Sequence, residues 1–354
     1  MQRRDFLKVV GSVAGGMAVG APPAFSKASD LENFPHPSGT PRRVLGRTGF
    51  KISIVGFSGF ALQHAELDAA QCKKIVHQAF AGGVNYYDVA PAYGKDGLCE
   101  VRLGEALQGL DRQQYYLACK TKQREKDGCR QELERSLTRL KTDHFDVYQL
   151  HHLRQTEDVE KALGPGGAVE MLVKAKAEGK IRAIGFSAHT TRAAVAALKG
   201  FKFDTVMFPI NFVEYFNIGF GKEVLELAKK EGAAVLAIKP LSQGGWAKDA
   251  ERKRKWWYRT MEEMEDIALA YRFSLSQPGV VAGFPPAWPD LQAKAIEAIR
   301  NYRPISDDEV KKLQEWATKC SSLFKRDEEA VALNQSHPEA YPENPESCYP
   351  CEWV

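Results

Sequence analysis

Eight short runs of apolar and β-branched residues, each followed by a segment with helical patterning, constrain the fold of this chain more than any other feature. The runs lie at residues 51–57, 84–88, 115–120, 145–151, 181–187, 203–208, 233–239 and 279–284. Several of the intervening segments end at a glycine, as a helix often does at its C-terminal cap. Near-continuous apolar strands joined by single helices predict a parallel sheet covered by helices on its outer face.

Eight such units can close into one barrel, and 354 residues are sufficient for that fold in a single domain. We therefore predict an α/β protein with a (β/α)8 TIM barrel over residues 42–300. A doubly wound open sheet is the structural alternative. The stretch RRVLGRTGFKIS (42–53) predicts a hairpin before the barrel. Ser306 and the acidic residues after it predict one more helix, within an otherwise irregular C-terminal extension at 301–354.

Residues 1–28 have the composition of a targeting segment. The basic MQRRDFLK precedes an apolar stretch rich in Gly and Ala, which is shorter than the about 20 residues of a spanning helix. The paired Arg3 and Arg4 resemble the twin-arginine (Tat) signal of folded exported proteins. We therefore expect a bacterial, periplasmic or otherwise exported protein. It would meet the Tat translocase during export and keep no stable membrane span after cleavage. An uncleaved amphipathic anchor is the alternative.

The net charge and the cysteine spacing limit the classes of ligand that we expect the chain to bind. The net charge of +4 arises from 49 basic and 45 acidic side chains, which gives no argument for nucleic-acid binding. Only Cys348 and Cys351, in CYPC, have a paired spacing among the seven cysteines. That spacing fits a disulfide or half of a metal site, but there is no second CxxC motif, so we predict no metal centre.

Polar residues end three consecutive predicted strands. Asp88, Lys120 and His151 stand at the ends of the second, third and fourth runs, and Tyr93 follows Asp88 by five residues. Because the C-terminal strand ends of a parallel barrel form its active-site face, these side chains should meet at one mouth. Each residue also has a purely structural explanation: Asp88 as a loop cap, Tyr93 as a packed ring, Lys120 as a solvated strand end and His151 as a core histidine.

The four residue types suit the transfer of a hydride to a carbonyl carbon and of a proton to its oxygen. A tyrosine hydroxyl, with a pKa of about 10 when free, needs a lower pKa to donate that proton near neutral pH, and a nearby lysine ammonium can lower it. Asp88 would keep Lys120 charged, and neutral His151 would hydrogen-bond the substrate oxygen. Lys120 directly follows its apolar run, unlike Lys122, and His152 should face away from His151.

Over nearly all of residues 42–300 the chain resembles the aldo-keto reductase family. The resemblance is carried, in the family's order, by RVLGRTGFKISIVGFSG, GGVNYYDVAPAYG, LGEAL, ACKTK, DVYQLHHL, GKIRAIGFSAH and LSQPGV. It implies a (β/α)8 barrel, NADP(H) as the preferred cofactor with NAD as the other possibility, and a catalytic tetrad. The tetrad falls on Asp88, Tyr93, Lys120 and His151. Implied cofactor contacts fall on Gly56, Ser58, Ser187, His189, Lys239, Pro240 and Leu241.

Departures from the family pattern lie in the implied cofactor pocket. Ala188 replaces the usual asparagine after Ser187, and Ile238 with Lys239 replaces an aromatic residue that commonly stacks on the nicotinamide. The stretch GFPPAWPDLQAKA lacks the arginine expected for the 2′-phosphate. The preference for NADP therefore rests on the family alone.

The loop after the seventh run carries a basic stretch, Lys248 to Lys255, flanked by Trp246, Trp256 and Trp257. Such a charge run is typical of a solvated surface. The alternative is that it folds over the cofactor pyrophosphate and slows its release.

Together these features predict an exported, NADP(H)-dependent oxidoreductase that interconverts a small aldehyde or ketone and an alcohol. The alternative is a non-catalytic barrel that binds a nucleotide or another ligand as a sensor or accessory subunit. The complete tetrad favours the enzyme, whereas the altered cofactor loops favour the alternative.

Overall fold

The structure is a computed structural model that describes residues 31–246, 250–254 and 256–332. The predicted export signal at 1–28 lies outside these residues. So do the cysteine pair Cys348 and Cys351 and two members of the basic stretch, Lys248 and Lys255.

An antiparallel hairpin precedes the barrel, as predicted. Its strands are β1 (Arg42–Val44) and β2 (Lys51–Ser53), which pair in register from Arg42 with Ser53 to Val44 with Lys51. Leu45, Phe50 and Ile52 are buried against the inward-facing residues of the barrel. The hairpin thus fills the barrel end opposite the candidate site, where buried Arg43 donates hydrogen bonds to the carbonyls of Leu275 and Val280.

Eight parallel strands form the central sheet. They are β3 (Phe57–Ser58), β4 (Tyr86–Asp88), β5 (Tyr116–Thr121), β6 (Phe145–Leu153), β7 (Ile181–Ala188), β8 (Thr205–Pro209), β9 (Ala234–Ile238) and β10 (Val280–Phe284). Each strand pairs with its neighbour in chain order. A parallel bridge between Val55 and Gly283 joins the two ends of the sheet. The predicted (β/α)8 barrel is confirmed, and the open doubly wound sheet is excluded.

The first apolar run, 51–57, is divided between two elements. Residues 51–53 belong to the hairpin, and the barrel strand β3 begins only at Phe57. The division arises because Ser53 turns the chain: its hydroxyl donates to the carbonyl of Val55, and its N–H donates to the side chain of Asn85.

Helices surround the barrel and extend it at the C-terminus. They are α1 (Ala69–Ala81), α2 (Leu98–Ala106), α3 (Lys126–Arg139), α4 (Thr156–Leu163), α5 (Ala168–Ala177), α6 (Thr191–Gly200), α7 (Phe212–Ile218), α8 (Lys222–Glu231), α9 (Met264–Leu275), α10 (Pro289–Ile299), α11 (Asp307–Ala317) and α12 (Lys325–Ala332). Helix α11 is the predicted C-terminal helix, and Ser306 with Glu309 forms a capping box at its start. Helix α12 was not predicted.

The core lies between strands and helices and contains most of the described cysteines. Cys72, Cys99, Cys119 and Cys129 are buried, as the sequence predicts. Burial raises the pKa of the Cys129 thiol to about 12, so it stays protonated at neutral pH. Across the described part of the chain, no helix combines the length and the apolar character that crossing a membrane requires.

Candidate active site

The four tetrad residues meet at the C-terminal mouth of the barrel. Asp88 ends β4, Lys120 lies near the end of β5, His151 lies near the end of β6, and Tyr93 stands on the loop after β4. All four are buried, and Tyr93 has the largest exposed fraction, 8%. Parallel pairing brings the three strand ends to one edge, as the sequence predicts.

Lys120 lies at the centre of this group. Its ammonium donates to a carboxylate oxygen of Asp88, to the hydroxyl oxygen of Tyr93 at 3.0 Å and to the carbonyl oxygen of Val89 at 3.3 Å. An ammonium has three N–H donors, so these partners satisfy it. The side chain is wholly buried, and the pairing with Asp88 offsets the cost of removing the charge from water. Because Tyr93 accepts this hydrogen bond, its own O–H can donate to another group.

Gln149 joins the group, although the sequence did not single it out. Its side-chain amide, fully buried on β6, donates to the second carboxylate oxygen of Asp88 at 3.0 Å. The available signal was strand parity, because Gln149 and His151 are two residues apart and so share a face of the strand. Asp88 is thereby held on one oxygen by Lys120 and on the other by Gln149.

His151 approaches the ring of Tyr93. The two ring centroids are 5.7 Å apart and the planes are nearly perpendicular, at 85°. Arg124 holds this strand end by donating to the carbonyl oxygens of His151 and His152. The ring of His152 instead lies 4.4 Å from that of His189. The rings of His151 and His152 are also in edge contact, with centroids 6.2 Å apart. The backbone of His152 is left-handed, with φ of 60°, and interrupts the alternation of the strand, so the prediction that His152 faces away from His151 is not confirmed.

The residues implied as cofactor contacts at the first barrel strand are held by helix α10. Gln292 donates to the carbonyl of Gly56 at 3.2 Å and accepts from the N–H of Ser58 at 3.3 Å. A Cβ at Gly56 would lie 2.1 Å from the ring of Phe284, so only glycine fits there.

A second polar cluster follows β7 and β9. The hydroxyl of Ser187 accepts from the N–H of His152 at 2.8 Å. The ammonium of Lys239 lies 3.1 Å from Nε2 of His189. Lys239 has a φ of 56° and its ammonium lies 5.4 Å from the ring centroid of Trp257. The Lys239 ammonium thus contacts an imidazole and an indole of the protein itself.

Two further implied cofactor contacts, Pro240 and Leu241, are buried directly after Lys239. The carbonyl of Leu241 accepts from the N–H of Met261, which closes the long loop after β9.

Arg254 is the member of the basic stretch whose role is clearest. Its guanidinium donates to both oxygens of Glu262, at 2.7 and 2.8 Å, and to both oxygens of Asp290, at 3.1 and 2.6 Å. These hydrogen bonds to Glu262 are the main cause that raises the pKa of Arg254 above its ordinary value. Arg254 is thus neither a solvated charge nor a cation left for a phosphate. It ties the loop after β9 to the first turn of α10.

Comparisons of the sequence and of the fold with known proteins agree with one another on the family. The sequence model described as the Aldo/keto reductase family matches residues 54–318. The chain is 30% identical over 217 residues to L-galactose dehydrogenase of Arabidopsis thaliana, covering 57% of this chain and 66% of the relative. It is 25% identical over 306 residues to the uncharacterized oxidoreductase YqkF of Bacillus subtilis, covering 77% and 95%. It superposes on the aldo-keto reductase of Klebsiella pneumoniae solved in complex with NADPH, with a TM-score of 0.59 and 22% identity, covering 77% and 93%. At that identity the structural likeness shows the fold alone.

Proposed function

The chain belongs to the aldo/keto reductase family, and from that premise we propose that it interconverts an aldehyde or ketone and the corresponding alcohol with NADP(H). The observation that carries the proposal is the position of the Lys120 ammonium, hydrogen-bonded to Asp88 on one side and 3.0 Å from the Tyr93 hydroxyl oxygen on the other. A non-catalytic barrel would have no need of a buried lysine beside a tyrosine hydroxyl at its mouth.

Tyr93 is the proton donor in the direction of carbonyl reduction. Its O–H proton passes to the substrate oxygen, and the tyrosinate that remains is stabilised by the ammonium of Lys120. Two opposite charges about 4 Å apart attract by about 4 kcal/mol at an effective dielectric constant near 20. That attraction acts only after the proton has left, so it lowers the barrier rather than the energy of the bound substrate. In alcohol oxidation the same tyrosine accepts the proton.

Asp88, Gln149 and His151 prepare this step. Asp88 balances the charge of Lys120 in a buried site, and Gln149 orients the Asp88 carboxylate. The His151 ring, 5.7 Å from the Tyr93 ring, hydrogen-bonds the substrate oxygen from a second side and so fixes its position.

The residues at the mouth fit a nicotinamide cofactor. When bound, NADP(H) supplies or accepts the hydride at the substrate carbon. Ser58, Ser187, His189 and Lys239 are the polar residues that would hold it, and the last three are buried at or just after the ends of β7 and β9. Membership of the family supports NADP(H) as the preferred cofactor, with NAD(H) as the other possibility.

We further infer that the protein is exported by the Tat pathway to the periplasm or beyond. The inference rests on Arg3 and Arg4 ahead of an apolar stretch within residues 1–28. Passage in a folded state would let the barrel acquire its nucleotide in the cytoplasm.

The test of the proposed function is Tyr93→Phe. We expect kcat for NADPH-dependent reduction of an aldehyde panel to fall by about 10²- to 10⁴-fold, because the proton donor is lost. The Kd for NADPH, from fluorescence titration, should change little. Tyr215→Phe, a half-buried tyrosine on α7, serves as the matched control and should retain activity. Near-normal turnover in Tyr93→Phe would contradict the assignment.

A further inference from the structure

The strand that carries His151 becomes irregular directly after it. The backbone of His152 is left-handed, with φ of 60°, and the register of β6 against β7 shifts between Leu150 and Leu153. A left-handed backbone is unfavourable for a residue other than glycine, and it persists only where the surrounding structure holds it. An irregularity of this kind changes the direction in which the neighbouring side chains point, so it helps to decide how His151 approaches Tyr93.

The guanidinium of Arg124, on the loop after β5, holds this irregular strand end. Its Nη2 donates to the carbonyl oxygens of His151 at 2.8 Å and His152 at 3.3 Å, and its Nη1 donates to the carbonyl oxygen of Lys122 at 3.1 Å. Lys122 follows β5 directly and lies two residues after Lys120. One planar group therefore ties the end of the strand that carries Lys120 to the end of the strand that carries His151.

Arg124 is itself fixed on its other side. Its Nε donates to a carboxylate oxygen of Asp158 at 3.2 Å, in the first turn of α4, and only 11% of its side chain is exposed. Its backbone carbonyl accepts from the N–H of Ala168 at 2.8 Å, at the start of α5. A guanidinium presents its donors in one rigid plane, so a guanidinium that is anchored in this way fixes the carbonyl groups that it contacts.

The two strand ends do not depend on Arg124 to the same extent. At the end of β5, the carboxylate of Glu132 also accepts from the hydroxyl of Thr121 at 2.6 Å and from the following backbone N–H at 3.1 Å. At the end of β6, the hydroxyl of Ser187 accepts from the N–H of His152. Without Arg124, two of these contacts would remain at β5 and one at β6, so its loss should disturb the end of β6 more.

We propose that Arg124 is a positioning residue for the reaction, which holds the left-handed backbone at His152 and thereby keeps the ring of His151 beside that of Tyr93. The proposal rests on the proposed function, in which His151 hydrogen-bonds the substrate oxygen, and it adds the residue that sets the place of this ring. A displacement of about 1 Å at the reacting groups can lower a rate by about 100-fold, so contacts to the backbone outside the tetrad can control turnover.

Arg124→Met tests the proposal, because it removes the guanidinium and keeps an unbranched side chain. We expect kcat for NADPH-dependent reduction of the aldehyde panel to fall by about 10- to 100-fold, whereas the Kd for NADPH should change little. Arg124→Lys retains a charge for Asp158, but an ammonium lacks the planar fork that reaches both strand ends. Its kcat should therefore lie between those of wild type and Arg124→Met.

Arg112→Met is the matched control. Arg112 donates to the carbonyls of Tyr115 and His144 and to the carboxylate of Asp146. It thus ties the opposite ends of the same two strands through the same kinds of contact. Its replacement should lower the melting temperature and leave kcat unchanged. A comparable loss of kcat in Arg112→Met and Arg124→Met would assign both arginines to folding stability and overturn the proposal.

A double variant decides whether Arg124 acts through His151. Once His151→Leu has removed the ring, adding Arg124→Met should lower kcat no further. An equal fold loss in the two backgrounds overturns the proposal, and so does an unchanged kcat in Arg124→Met alone. The melting temperature of each variant identifies any loss caused by unfolding, and if Arg124→Met unfolds at the assay temperature, Arg124→Lys takes its place in the double variant.

The position of His151 can also be followed without turnover. In protein labelled with isotopic histidine, its Cε1–H resonance is the one that His151→Leu removes. This resonance should shift in Arg124→Met and not in Arg112→Met, and an unshifted resonance in Arg124→Met would refute the positioning role. The proposed function fails separately, if the resonance shifts as expected but the wild-type protein reduces none of the aldehydes.

Discussion

At the scale of single residues, the site depends on one buried ammonium whose three donors are all committed. Lys120 can stabilise a tyrosinate only while its ammonium is held beside Tyr93 by Asp88, and Asp88 in turn is held by Gln149. Side chains from three strands therefore share the chemistry. A substitution of Gln149 should alter the position of Asp88, and through Asp88 and Lys120 it should alter the environment of the Tyr93 hydroxyl.

Gln149 offers the sharpest test of this chain of contacts as a positioning residue. Gln149→Met removes the donor to Asp88 with little change in shape, and we expect kcat to fall by about 10- to 100-fold, the effect of one hydrogen bond to a charged group. Gln149→Glu should be worse, because it places a second carboxylate against the first. The Kd for NADPH should be unchanged in both. Equal activity of Met and Glu variants would indicate that Gln149 acts through packing alone.

Sequence reasoning reached some of these residues and not others for a physical reason. The positions of Asp88, Lys120 and His151 at strand ends follow from the parallel topology, which the apolar runs reveal. Gln149 does not stand at a strand end. Strand parity places it on the same face as His151 but does not name its partner, because an amide inside an apolar strand has many possible partners. The contact between His189 and Lys239 was also missed as a pair. It joins residues 50 apart and depends on a left-handed backbone at Lys239 that no pattern indicates.

At the scale of elements, the segment after α11 is fastened across the barrel mouth by long-range contacts. Glu214 on α7 accepts from the hydroxyl of Ser322 and from the N–H of Leu323 at 2.7 Å. Phe324 then stacks on Phe220 and lies parallel to the ring of His189. Helix α12 was not predicted because its position depends on such contacts, whereas α11 carries its own local signal in the capping box of Ser306.

The buried carboxyl of Glu214, which accepts these hydrogen bonds, predicts that the stability of the fold depends on pH. Burial raises the pKa of this carboxyl to about 7, from an unfolded value of 4.5. Between these values the folded state binds more protons than the unfolded state, so the free energy of unfolding falls as pH rises. The loss levels off as pH rises past the folded pKa of about 7, and it amounts to about 3 kcal/mol.

Glu214→Gln keeps an acceptor oxygen and removes the titration. We therefore expect the difference in unfolding free energy between wild type and variant to change by that amount from pH 4.5 to 7.5, measured by urea denaturation. Exposed Glu226→Gln on α8 is the matched control. A difference that does not vary with pH would show that Glu214 is ionised throughout this range.

At the scale of the whole molecule, the apolar runs were enough to predict a closed barrel, and the strand ends were enough to predict where its site lies. The division of the first run was not predictable, because the turn at Ser53 depends on Asn85 from a distant loop.

The proposed export through the Tat pathway is a prediction that rests on the sequence of residues 1–28. It should depend on Arg3 and Arg4: replacing both with lysine should keep the protein, uncleaved, in the cytoplasm of a bacterial host. Fractionation and immunoblotting measure this, and normal export of the double variant would refute the Tat assignment.

The proposed export also bears on how an exported protein would keep its nucleotide, since free nucleotide should be scarce outside the cytoplasm. A cofactor loaded before export must then leave slowly, and the loop after β9 is the element that can retain it. Arg254 ties this loop to α10 through Glu262 and Asp290, so Arg254→Gln should accelerate NADPH release, measured by stopped-flow fluorescence. Because the charge of Arg254 is already neutralised, the acceleration should persist at high salt, whereas direct contact with the pyrophosphate would give an effect that salt abolishes. An unchanged release rate would assign the Arg254 ion pairs to folding stability alone.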